Sequence, residues 1–324
     1  MSAVVTADQA AVPQLARPSV GGVLHRWLGA VPSFVLWGLV VLWSVPTVGL
    51  LVSSFRAEDA VKGTGWWTVG TDPQLTTANY RAVFSTSGSD APNMWHHFAN
   101  SLAITIPATV IPIAIAAFAA YAFAWMDFRG RHWLFIGVVA LLAVPFQMSL
   151  IPLLQLFTGG AHLTLFGQTM TLFPDLDLAG STTAVWLTHI GFGLPLAIFL
   201  LHNFIASLPS DIFEAARIDG ADHPTIFWRL VVPLSVPALA AFAIFQFLWV
   251  WNDYLVARTF LGSGGSGLEN APMTIRLATL SGSRGQDWHL LTAAAFVSIA
   301  VPLAVFFALQ RYFVRGLLAG SVKG

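Results

Sequence analysis

The chain has 324 residues, of which 56% are hydrophobic and 9% charged, and its mean hydropathy is +0.73. A soluble globular domain carries about 25% charged residues, so the composition excludes an ordinary soluble enzyme and places the chain in lipid. The formal net charge is zero, which argues against a nucleic-acid partner, and without cysteine there is no disulfide framework, thiolate metal site or cysteine nucleophile.

Residues 1–31 are polar to mixed and read as an N-terminal tail, with Arg17, His25 and Arg26 just ahead of the first apolar run. They lack a basic region followed directly by a short apolar core and a cleavage site, so no signal peptide is expected. Apolar runs then follow near 32–55, 98–126, 133–157, 181–206, 237–257 and 290–310. Each reaches the roughly 20 residues that a helix needs to cross a ~30 Å hydrocarbon layer, and backbone groups in lipid must pair internally. The expected fold is therefore an all-α integral membrane protein with six transmembrane helices. Pro46, Pro107, Pro112, Pro145, Pro152, Pro195 and Pro302 fall inside these runs, either as kinks of a moving bundle or as plain packing features.

The runs divide the chain into a tail at 1–31, a first transmembrane helix at 32–55, an external loop at 56–97, a core of five spans at 98–314 and a C-terminal tail at 315–324. Within the core, polar connections fall at 208–236 and 262–288. Basic residues set the orientation. The short loop Asp127–His132 carries Arg129 and Arg131, whereas residues 158–180 carry no Lys or Arg but hold Asp175 and Asp177. Both termini and the 208–236 loop are therefore expected in the cytoplasm.

Residues 56–97 hold Gly63-Thr64-Gly65-Trp66-Trp67 and Thr77-Ala78-Asn79-Tyr80. The aromatic residues here read as interface anchors or as sugar-stacking platforms. In the second span, the small residues of Ala120-Tyr121-Ala122-Phe123-Ala124 permit close helix packing.

The polar island at 208–236 is the most organised part of the sequence outside the spans. Asp211 with Glu214 three residues on has the form of a capping box. Gly220 suits the left-handed position that ends a helix, and Asp222 followed by Pro224 reads as a second helix start. Ile212, Phe213 and Ala216 are expected on one side, with Glu214, Arg217 and Asp219 facing a watery partner.

The order Glu214-Ala215-Ala216, three residues, Gly220, nine residues, then Leu230, Val232 and Pro233 resembles the "EAA" loop of the membrane subunits of ABC importers. The departure is Leu230 and Val232 where isoleucine and leucine are usual. The resemblance extends to carbohydrate permeases of the maltose or alpha-glucoside type through Asn79-Tyr80, Asn100-Ser101, Ala120–Ala124, Trp249-Val250-Trp251-Asn252-Asp253-Tyr254 and the C-terminal Gln310–Gly324. It covers about residues 32–324 and implies a MetI-like permease fold with a cytoplasmic coupling helix, in the inner or plasma membrane of a prokaryote.

The resemblance also implies partners. These are a second permease subunit forming a heterodimer, two ATP-binding subunits that hold ATP and Mg, an extracytoplasmic solute-binding protein and a sugar substrate such as maltose or trehalose. The ATPase would grip the segment Glu214, Ala215, Ala216, Arg217, Asp219, Gly220 and Ala221, with Glu214 supplying a charged contact and the two alanines keeping the surface thin. Trp249, Asn252, Asp253 and Tyr254 are candidates for the substrate path. A carboxylate at a helix centre costs about 2.5–3.5 kcal/mol, so Asp253 either lines that path or bonds to a neighbouring helix. Residues 262–288, which open on the glycine- and serine-rich run 262–267, are either an idle connector or, as the resemblance implies, a loop reaching toward the binding protein. The C-terminal arginines read as an inner-face anchor or as part of the ATPase interface.

No catalytic constellation is apparent, and no cofactor is expected on this chain. His25, His96, His97, His132, His162, His189, His202, His223 and His289 form no zinc-binding helix pair, and the adjacent His96 and His97 should point to different helix faces. Without a Gly-x-x-x-x-Gly-Lys-Ser/Thr loop the chain does not hold ATP in the usual way, so energy must come from another polypeptide. The alternatives are a permease for a non-sugar solute such as glycerol phosphate, or an ion-coupled carrier using Asp253, His189 and His202.

Overall fold

The computed structural model describes residues 32–85, 93–262, 269–281 and 287–321. Arg17, His25 and Arg26 of the tail, most of the glycine-rich run at 262–267, Arg284 and Lys323 lie outside the described residues. The chain divides into two units, Met1–Leu50 and Leu51–Gly324.

The described part of the first unit belongs to helix α1, Ser33–Ser54, whose apolar window is only 6% buried. Its Ser44 hydroxyl is satisfied within the helix, Oγ donating to Val40 O at 2.7 Å.

The second unit opens with a folded segment where the sequence suggested an external loop. Short helices α2 (Glu58–Gly63) and α3 (Ala78–Phe84) flank a 3₁₀ turn at Trp66–Gly70. Its centre is Arg56, fully buried and, among the described residues, without a carboxylate ion pair. The guanidinium donates to Gly65 O at 2.8 Å, Thr64 Oγ1 at 3.0 Å and Asp72 O at 3.1 Å. Asn79 is buried beside it and donates to Ser54 O and Arg56 O, while the Tyr80 hydroxyl meets Ser54 Oγ at 2.8 Å. These polar groups would be costly inside the fold without such partners.

Helix α4, Met94–Trp125, starts four residues before the expected run because Asn93 caps it, accepting from His96 N. The third run does not form one straight span. Helix α5 (Arg131–Ala140, extended by a 3₁₀ turn to Ala143) and helix α6 (Phe146–Gly159) meet at 103°. Pro145 is the cause: the residue before proline is disfavoured in the α region, and Val144 is extended at φ −82°, ψ 116°. Among the described residues five helices are thus long and apolar enough to cross a membrane, or six if the bent pair is counted as one span.

After α6 comes an antiparallel hairpin that the sequence reading did not anticipate, β1 (Ala161–Leu165) with β2 (Gln168–Phe173). Helix α7, Thr182–Ala206, is capped by Ser181. The polar island forms α8 (Ser210–Ile218) and α9 (His223–Ile226). The second does not bend away from the next span but runs into it through a π turn, Phe227–Val231, and then α10, Val232–Trp251. Pro233 cannot donate to the preceding turn, and the chain widens just ahead of it. The fifth span therefore begins at His223 and ends at Trp251, earlier at both ends than the run at 237–257 suggested. Helices α11 (Leu255–Leu261), α12 (Met273–Ser281) and α13 (Trp288–Ser321) complete the unit. The connection after α11 is more than an idle connector, since Ala271, Met273 and Ile275 are buried.

Close packing follows small residues: Ala116, Ala117 and Ala120 of α4 and Ala197 of α7 are buried in one cluster. That cluster also takes in Ile205, Phe213, Ile226 and Phe227, and so ties the ends of α4 and α7 to α8 and α9. A second cluster at the other end joins Ile104, Val185, Val250, Phe260 and Ile275.

Candidate functional site

Helix α8 ends as Gly220 suggested. Gly220 is at φ +80°, Ala221 N donates to Ala216 O at 2.9 Å and Gly220 N to Arg217 O at 3.0 Å, the pair of bonds of a Schellman turn. Asp222 caps α9, accepting from Thr225 N at 3.0 Å, and Pro224 lies in the first turn. The hydroxyl and amide of Thr225 hold the Asp222 carboxyl below its ordinary value. The expected capping box is absent. The helix begins at Ser210, no side chain caps it, and Asp211 sits inside the first turn, where its charge still complements the helix dipole.

One side of α8 is fixed firmly. Phe213 is 1% exposed and stacks on Trp125 with ring centroids 3.8 Å apart and an interplanar angle of 18°. The same indole donates Nε1–H to Ile205 O at 3.1 Å, so one ring joins α8 to the ends of both α4 and α7. Arg217 Nη2 reaches Trp125 O at 3.5 Å. Helix α9 is held similarly: Tyr121 Oη lies 2.7 Å from His223 Nδ1, and its ring is 5.6 Å from that of Phe227.

The other side is not covered by any of the described residues. Glu214, Ala215 and Asp219 are exposed as expected, Ala216 is half-buried, and Ile212 is exposed rather than packed with Phe213. Ile218, at 85% exposure, was missed by the sequence reading. Its position four residues after Glu214 and three after Ala215 puts all three on one face, a signal present in the spacing.

Between α5, α6, α7 and α10 lies a cavity of about 890 Å³, lined among others by Phe146, Thr188, Phe192, Gln246 and Trp249. Its walls are apolar and aromatic, with Phe146 5.6 Å from Phe192 and 6.1 Å from Trp249. Gln246 is its fully buried amide, donating to Ala108 O at 3.0 Å. Gly193 makes room for it, since a Cβ there would stand 2.6 Å from Gln246 Nε2.

The four residues expected along a substrate path do not share one place. Trp249 lines this cavity. Asp253 lies beside a small separate void with Ser101, Thr105 and His189. Its carboxylate caps α11, accepting from Val256 N at 3.3 Å and Ala257 N at 3.0 Å, and Oδ2 is 3.5 Å from His189 Nε2 of α7. Asn252 and Tyr254 are exposed, the Asn252 amide bonding back to Leu248 O. The His189 ring is also edge-on to Trp249, 5.3 Å away at 90°.

His96 and His97 differ in burial, yet both reach one backbone segment. His96 Nε2 lies 2.9 Å from Glu269 O and buried His97 Nδ1 2.7 Å from Ala271 O. Among the described residues no group of three His, Cys, Asp or Glu side chains could hold a metal ion.

Among the described residues, five long apolar helices, an exposed short helix wired to two of them and an apolar cavity define a polytopic membrane transport component. The chain belongs to the family of binding-protein-dependent transport system inner membrane components, whose description matches residues 112–318. It is 54% identical over 289 residues to the osmoprotective compounds uptake permease protein GgtD of Synechocystis sp., covering 88% of this chain and 89% of the relative. It is 54% identical over 275 residues to the alpha-glucoside transport system permease protein AglG of Rhizobium meliloti, covering 85% and 67%. A solved bacterial ABC transporter that imports the acidic polysaccharide alginate shares the fold, with TM-score 0.63 and 20% identity over 90% of this chain and 98% of the other. The chain is thus a multi-pass inner-membrane permease subunit of an ABC importer, and the sequence resemblance is borne out.

Proposed function

We propose that this subunit forms half of the translocation path of an ATP-driven, binding-protein-dependent importer of alpha-glucosides, and that α8 is the lever through which an ATPase on another chain moves it. The observation that supports the lever is the Trp125 ring, clamped between Phe213 of α8 and the Ile205 carbonyl of α7. Displacement of α8 must carry the ends of α4 and α7 with it, because a buried stack is lost or moves as a unit. The exposed face of Ile212, Glu214, Ala215 and Ile218 meets the ATP-binding subunit, which supplies ATP and Mg. A second permease subunit completes the path, and both termini lie on the α8 side.

The substrate class follows from the likeness to AglG, whose name is that of an alpha-glucoside permease. The equal identity to a permease for osmoprotective compounds favours a second reading, in which the solute is a protective one. Nothing in these likenesses supports glycerol phosphate. Trp249 and its aromatic neighbours form the wall along which a sugar ring would stack, with Asp253, Asn252 and Tyr254 nearer the outer end of the fifth span.

The test is uptake by the reconstituted complex with its binding protein. ATP-driven import stops with vanadate and survives an uncoupler; the reverse result refutes this coupling. Ligand binding to the partner solute-binding protein, with maltose and trehalose set against osmoprotective solutes, separates the two substrate readings.

A further inference from the structure

We infer that the β1–β2 hairpin is a lipid-binding element that lies in the membrane interface. Its register pairs His162 with Thr171, Leu163 with Met170, Thr164 with Thr169 and Leu165 with Gln168. Directly paired residues share a face, so the hairpin is two-sided. One side is polar and internally satisfied: Thr164 and Thr169 hydroxyls are 3.0 Å apart, and His162 meets Thr171 Oγ1 at 3.3 Å and Gly159 O at 3.0 Å. The other presents Leu163, Leu165, Met170 and Leu172, all exposed, with Gln168 as its one polar member and Phe166 at the turn 104% exposed. An isolated two-stranded hairpin is marginal in water, and among the described residues this one leaves its apolar side exposed.

Charge and placement select lipid as the occupant. Residues 132–174 contain no Asp, Glu, Lys or Arg, so the hairpin continues the uncharged chemistry of α5 and α6 instead of breaking from it. A protein-docking patch normally carries a polar, charged rim. The hairpin is rooted directly on the end of α6, where a Cβ on Gly160 would stand 2.5 Å from Phe173 O, and Phe173 and Leu176 line the cavity between the spans together with Phe146. Its open strand edges cannot enter the hydrocarbon core, because their N–H and C=O groups need partners. Apolar side chains directed into the acyl boundary with the threonine side toward water satisfy both demands, as an interfacial amphipathic helix does.

The chain has no cysteine, so single-cysteine variants report one position each. Nitroxide labels on Phe166→Cys and Leu172→Cys, with Thr164→Cys for the opposite face, are read in the assembled transporter in phosphatidylcholine–phosphatidylglycerol bilayers; labelled wild-type complex gives the background from partner thiols. Collision with oxygen relative to a water-soluble nickel chelate should be several-fold higher at 166 and 172 than at 164. Leu172→Cys reads the same face if Phe166→Cys does not assemble. Equal ratios on both faces would overturn the proposal, and so would suppression of both collisions at 166 and 172, which would mean a covering protein, whether a sister subunit or the binding protein.

Discussion

Phe213 and Trp125 are 88 positions apart in the chain and stack face to face with centroids separated by 3.8 Å. That contact is the main attachment of α8 to the spans, so its removal tests the lever directly. Phe213→Ala should cost about 3 kcal/mol locally, the usual penalty for truncating a buried aromatic ring. Membrane insertion should persist while uptake and stimulated ATP hydrolysis uncouple. Hydrogen exchange over 210–218 measures the loosening, and unchanged protection with full transport would refute the role.

Gly220 is limited by its backbone and not by space, for a Cβ there would meet nothing within 4 Å while φ is +80°. A β-branched residue pays the left-handed penalty of about 1–2 kcal/mol, whereas asparagine tolerates that region. Gly220→Val should abolish transport with insertion intact, and Gly220→Asn should recover much of it. Equal transport by the two variants would place the defect elsewhere.

The exposed face of α8 gives a separable effect. Glu214 and Ile218 are exposed among the described residues, so with Glu214→Ala and Ile218→Asp thermal stability should stay within about 0.5 kcal/mol of wild type. Co-purification of the ATP-binding subunit should fall several-fold, more for Ile218→Asp, because an aspartate would be desolvated in an apolar contact.

Asp222 makes the start of α9 sensitive to acid. Its carboxyl is held below its ordinary value by the Thr225 hydroxyl and amide, so the ionised form is the one that caps. A depressed carboxyl contributes stability that is present above its unfolded value and lost as pH falls through the folded one, here below about 4. Amide protection at Thr225 should drop in that range for wild type. Asp222→Asn, which still accepts the bond but does not titrate, should show a flat response.

Asp253 acts on two elements at once, capping α11 and standing 3.5 Å from His189 of α7. Asp253→Asn retains an acceptor for the cap but loses the charge, while Asp253→Ala loses both, with about 1 kcal/mol for the cap alone. Thermal stability in detergent should fall in the order wild type, Asn, Ala. Asp253→Asn equal to Ala would mean that the His189 contact, and not the cap, carries the effect.

What the sequence disclosed was largely local. Gly220 and Asp222 were readable because turn and cap chemistry is decided within four residues. Asp211 misled for the same reason in reverse: the chain enters α8 two residues earlier, from Pro209. The 103° break was not readable, since Pro145 is one of several intramembrane prolines and only its extended neighbour Val144 distinguishes it. Pairings such as Phe213 with Trp125, or Arg56 with the carbonyls of Gly65 and Asp72, span distances that no periodicity reports. The hairpin had a signal, alternation of threonine with apolar residues around Phe166-Gly167, hidden by the apolar stretch before it.

The continuity of His223–Trp251 has a mechanical consequence. At about 1.5 Å per residue this is a rod some 43 Å long, longer than the hydrocarbon layer is thick. One of its tips touches Tyr121, which packs in one cluster with Phe213 of α8, and the opposite tip hands over to Asp253 and the α11 cap. On the lever proposed above, twist applied at the Tyr121 tip would reach the Asp253 tip through one continuous backbone, with the widened turn at Phe227–Val231 as a joint along it.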